Sequence, residues 1–206
     1  MSGDTEIDPE LLREEVAQIK DAMGLQERYP GQFQLWLVFG VAVLLASTAS
    51  QLIALRELSG SLHAVAWWVP LGGAWLYQWW KTDDVEATNP DAKPRLGVLW
   101  LSVFGLYVVF LFTLDPALDT LSAEAAQILL FSLIVGLIGV AYLVVGEALR
   151  AYYIRRRDRW AFYVGGMWML ALAAVMPNVD ALETWGYATF GVIYAVHAGV
   201  SYLVLK

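Results

Sequence analysis

Six stretches of this chain each run for roughly 20 residues without a single Lys, Arg, Asp or Glu: Phe33–Leu55, Leu62–Trp80, Leu96–Leu114, Ala125–Gly146, Trp160–Pro177 and Trp185–Leu205. About 20 apolar residues in a helix cross a hydrocarbon core of ~30 Å. The runs are continuously apolar and do not alternate, which argues against barrel strands. The expectation is an all-α polytopic membrane protein with a six-helix membrane domain over residues 33–206. Composition agrees. With 59% hydrophobic and 16% charged residues among 206, a globule of this size could not hide its apolar surface.

The remaining charge is partitioned. Twelve of the thirteen bases fall in the N-terminal segment, residues 81–95, residues 147–159 and Lys206; only Arg56 falls on the other side. Bases stay on the cytoplasmic side, so both termini are expected in the cytoplasm of a cell-membrane protein. Residues 1–32 are acidic and polar and do not resemble a cleaved signal peptide. The chain has no Cys, which removes disulfide and thiolate chemistry. Its net charge of −7 argues against nucleic-acid partners.

Residues 8–23 suggest a short amphipathic helix in the cytoplasmic tail. Asp8 can cap and Pro9 suits the first turn. Leu12, Val16, Ile19 and Met23 then share one face. That face could dock a protein partner or a second copy, or lie on the protein's own surface. Five acids against two bases in this stretch disfavour anionic lipid. The densest basic cluster, Arg150, Arg155, Arg156, Arg157 and Arg159, is a topology signal, a lipid-headgroup contact, or both.

A motif recurs. Trp67-x4-Gly72-Gly73-x-Trp75 reappears as Trp160-x4-Gly165-Gly166-x-Trp168, 93 residues later. Two three-helix halves would be inverted relative to each other, as in many secondary transporters. Within the spans, polar groups are sparse. His197, with Tyr194 and Ser201 on the same helix face, is the one intramembrane ionisable candidate. Ser47, Ser50 and Gln51 on span one could line a polar path with it or serve helix packing. Gly191, Ala195 and Gly199 suit close helix approach, in the core or at an oligomer seam. No catalytic motif is present, and no cofactor or metal set is expected.

The acidic tails and the nine Arg against four Lys resemble membrane proteins of halophilic archaea. The stretch Arg155-Arg156-Arg157, Phe162-Tyr163, Trp185-Gly186, Gly191, His197-Ala198 is faintly similar to the two-transmembrane-helix module of bacterial regulators, which implies a membrane anchor. The sequence therefore points to a non-enzymatic accessory or partner-binding membrane component. A small transporter or channel-like protein of inverted halves, and a haem or quinone redox protein, are the alternatives.

Overall fold

The computed structural model describes residues 15–16, 19, 32–81, 95–152 and 154–205. Six long helices carry the chain: α1 Gln32–Leu55, α2 Ser61–Lys81, α3 Leu96–Leu118, α4 Ala123–Ala148, α5 Arg156–Val175 and α6 Asp180–Leu205. Short 3₁₀ turns, Leu149–Tyr152 and Met176–Asn178, follow α4 and α5. α1, α3, α4, α5 and α6 are long and apolar enough to cross a membrane. The Trp, Gln and Pro residues of α2 make it less apolar, although it contains no charge before Lys81. Most of the expected tail helix, including Leu12 and Met23, lies outside the described residues. Val16 and Ile19 are helical and exposed.

The helices are not equal partners. α1 packs closely on α6, and α4 on α5. Both seams are antiparallel, and the α1–α6 seam uses small residues at heptad spacing. On α1, Gly40 meets Ala198 of α6, and Ser47 meets Gly191. A Cβ on Gly40 would sit 2.7 Å from the Ala198 Cβ, and one on Gly191 would sit 2.5 Å from the Ser47 Cβ. On α4, Gly139 meets Gly166 of α5, where a Cβ would come within 2.6 Å of the Gly139 carbonyl oxygen. Lipid supplies no hydrophobic drive between helices, so close backbone approach must supply dispersion energy instead. The expected Gly191–Ala195–Gly199 stripe needs correction. Gly191 and Ala198 make the seam, while Gly199 has open space where a side chain would go.

The core is aromatic. Trp36, Phe131, Tyr142, Met169, Met176, Tyr187, Phe190 and Tyr194 are buried between α1, α4, α5 and α6. The other two helices are attached at the edges. α2 packs on α1 and reaches the core through Trp67, whose ring lies 6.0 Å from Phe131. α3 packs on α4 and has no buried residue, although Trp100 approaches Tyr142 edge-on at 6.0 Å. The two copies of the Trp-Gly-Gly-Trp motif are packed differently. Gly165 and Gly166 are tightly enclosed, whereas Gly72 and Gly73 face open space.

Helix ends follow local chemistry. Ser122 caps α4 by accepting from the Ala125 N–H at 3.2 Å. α1 ends in a Schellman motif: Leu58 N–H donates to the Ile53 carbonyl and Glu57 N–H to the Ala54 carbonyl. The motif places Glu57 at a φ of 50°, a conformation that favours glycine. Glu57→Gly should therefore raise stability by about 1 kcal/mol. Gly191→Leu should lower it by about 1–3 kcal/mol or more, because the side chain would overlap Ser47. Both shifts are measurable as unfolding midpoints in detergent.

Candidate functional site

The residues singled out in sequence separate into two sites on opposite halves of α6. Gln51 belongs to the half nearer the start of α6. Its side chain is 4% exposed. Its Nε2 donates to the Thr184 carbonyl at 2.8 Å, and its Oε1 accepts from the Ala188 N–H at 3.0 Å. Thr184 and Ala188 are four residues apart and would normally bond each other. α6 is interrupted between them, at Trp185, whose φ of −111° and ψ of 15° are not helical. The Gln51 amide thus stands in for a missing rung of the helix ladder. Kinks arise where a side chain enters that ladder, and in lipid no water would compensate the freed groups.

Ser47 and Ser50 sit along the same seam, fully buried, and neither hydroxyl has a hydrogen-bond partner. Ser47 is enclosed by Gly191, which identifies it as a small packing residue. Nearby Thr48 bonds back to the Leu44 carbonyl at 2.8 Å, as Ser132 does to Ile128. Such back-bonding satisfies a hydroxyl within its own helix. α1 and α6 interlock along this row of polar groups.

His197 lies in the other half, nine residues past Ala188 and so about 13 Å along the helix. Its ring stands edge-on to Trp36 at 5.4 Å and 6.1 Å from Trp168. The imidazole and Ala161 both line the space between α5 and α6. Nε2 is buried without a partner and lies against Gly165, where a Cβ would come within 2.9 Å of it. Tyr194 does not join His197 in a polar path. It is buried, and its hydroxyl shares a 2.5 Å hydrogen bond with that of Tyr142 on α4. His63 is remote, stacked on Tyr187 at 5.1 Å. Tyr187 and His197 are ten residues apart, about 15 Å along α6.

What sequence reasoning kept apart, the fold brings together. A groove of about 460 Å³ runs between α5 and α6 from the arginine cluster down to His197. Arg156, Arg157 and Trp160 line its mouth; Val164, Val200 and Ser201 line its walls. Trp36 explains the opening. Its ring lies 5.2 Å from Phe162 on α5 and 5.4 Å from His197 on α6, so an indole occupies the space where the two helices would meet. Arg157 donates to the Val204 carbonyl near the end of α6, across the groove.

The rest of the cluster behaves differently. Arg150 pairs with Glu147 at 2.6 Å, and the Tyr163 hydroxyl donates to the same carboxylate at 2.8 Å. Arg155 is exposed, and the Arg159 Nε is buried without a partner. Trp36 and Tyr142 were missed in sequence because they lie inside apolar runs. Their polar tips were the only available signal. Among the described residues, no group of three or more His, Asp or Glu is placed to hold a metal ion. Compared with known protein families, characterised proteins and solved structures, the chain matches none.

Gln51→Ala should cost about 1–3 kcal/mol, because Thr184 and Ala188 would each lose a buried partner. Ser50→Ala, which removes an unpartnered hydroxyl, should cost little or nothing. Unfolding midpoints of both variants in the same detergent make the comparison. Equal losses would contradict the ladder role of Gln51.

Proposed function

We propose that this chain is a six-span accessory component of the cell membrane that works by binding partners rather than by catalysis. Both termini and the arginine cluster lie on the cytoplasmic side in this reading, which the distribution of bases favours. The observation that carries the reading is the state of α2 and α3. Gly72, Gly73, Gly97 and Gly105 on these helices have no neighbour within 4 Å of where a side chain would begin. Glycine is costly within a helix. In membrane helices it is enriched where another helix packs closely, as Gly139, Gly166 and Gly191 do within this bundle. Exposure of the Trp and Phe residues of α2 and α3 would not suffice alone, because lipid tolerates it. The expected tail helix, residues 8–23, would add a cytoplasmic contact.

The pattern of contacts also supports two inverted three-helix halves. The first two helices of each half pack together, α1 with α2 and α4 with α5. The third helix of each half then packs on the first helix of the other, α3 on α4 and α6 on α1. A pseudo-two-fold axis would generate that exchange. Transport gains no support, because α1 and α6 interlock where a path would run. A two-histidine haem gains none either, given the separation of His63 and His197. The acid-rich composition still favours a high-salt source, and α5–α6 could still be likened to a two-helix anchor.

The absence of native cysteine permits a direct test. A single cysteine at Gly73 or Gly105 should cross-link in native membranes to another polypeptide, in defined stoichiometry. A cysteine at the exposed Leu45 of α1, a helix whose Gly40 is already enclosed by Ala198, should not. Equal or absent cross-linking at all three positions would contradict the reading. Removal of residues 1–28 should weaken the association and leave the bundle folded.

A further inference from the structure

We propose that the α5–α6 groove is a binding site for one anionic phospholipid, with its phosphate at Arg156 and Arg157 and one acyl chain directed toward His197. The inference rests on α5 and α6 lying in a bilayer and on no protein partner.

Three features of the groove converge on that ligand. The first is charge. Residues 147–159 hold five arginines, Arg150, Arg155, Arg156, Arg157 and Arg159, against two acids, Glu147 and Asp158, in a chain whose net charge is −7. Glu147 is engaged with Arg150 and Tyr163, and Asp158 is buried. The mouth of the groove is thus the positive pole of an acidic protein. Arg157 spends one N–H on the Val204 carbonyl, which holds its guanidinium across the opening. A guanidinium has further N–H donors in a fork that suits phosphate oxygens.

The second feature is polarity that changes with depth. Trp160, half exposed at the mouth, is the amphipathic residue type that sits at headgroup level. Below it the walls are mainly apolar, Ala161, Val164 and Val200, with Ser201 the one hydroxyl before His197. A free anion would gain nothing from these walls, whereas an acyl chain would exchange contacts with bulk lipid for contacts with a fitted surface. The third feature is length. From Leu205 to His197 the groove descends eight residues, about 12 Å along the helix. That is deep enough for part of a chain, and too shallow to pass a solute across the bilayer. His197 lies at its inner end, with the Trp36 ring 5.4 Å from the imidazole.

The site can be tested on the full-length purified protein by native mass spectrometry, with phosphatidylglycerol, phosphatidylcholine or inorganic phosphate added at equal concentration. One phosphatidylglycerol should remain bound at least fivefold more often than phosphatidylcholine, and inorganic phosphate should not displace it. Arg157→Gln should weaken retention about fivefold, the loss expected for one basic contact near an anionic surface. Val200→Trp fills the groove while keeping every charge, and should abolish retention. Val164→Trp repeats that test from the facing wall if the first variant does not fold. Equal retention of the two lipids would overturn the proposal. So would wild-type retention in both folded tryptophan variants, which would place the lipid elsewhere. Displacement by inorganic phosphate would reassign the arginines to a free-anion site.

Discussion

The bundle depends on one amide. Gln51 of α1 enters α6 where that helix breaks, donates to Thr184 and accepts from Ala188. In lipid an interrupted helix must recover its backbone bonds from protein. Here a single side chain supplies both halves of one missing rung. That requirement sets the register of α1 against α6. It draws Ser47 onto Gly191 and, seven residues further along each helix, Gly40 onto Ala198, and the antiparallel seam follows. The interaction therefore joins the first of the six long described helices to the last.

The position of α1 has consequences at the other end of the seam. Trp36 lies fifteen residues before Gln51, about 22 Å along the same helix. It is carried into the space between α5 and α6, against Phe162, Tyr142 and His197. The two helices stay apart on that side, and the arginine-lined groove results. A polar rung near one face of the bundle and an aromatic wedge near the other are thus two ends of one rigid element. α2 and α3 take no part in this and remain at the periphery, their glycines open.

Much of the fold was legible because a bilayer imposes long uncharged helices. The runs around Val43, Val135 and Val192 could hardly be anything else. The Glu147–Arg150 pair follows from spacing, three residues apart on one helix face. Boundaries were less so. α3 continues through Asp115 and Pro116 to Leu118, because a helix can extend past the apolar zone where its charged end meets a polar environment. The kink at Trp185 was invisible, since its cause, Gln51, lies 133 residues before Thr184 in the chain. Grouping Gln51 with His197 as one polar path was reasonable by composition. It failed to anticipate that each has its own neighbours on separate halves of α6. The groove escaped notice because neither the arginines nor His197 signals it alone.

The account stands on the antiparallel register of α1 and α6. Disulfide trapping in a chain without native cysteine measures it directly. A Cβ on Gly191 would lie 3.7 Å from the Leu44 Cα and 2.5 Å from the Ser47 Cβ, so the trap is built in a Ser47→Gly background that admits a side chain at 191. The double variant Leu44→Cys with Gly191→Cys should form an intramolecular disulfide rapidly in the membrane under mild oxidant. Leu44→Cys with Leu205→Cys, about three turns past the level of Leu44 on α6, should not. Efficient trapping of the second pair, or of neither, would contradict the seam on which the groove and the kink depend.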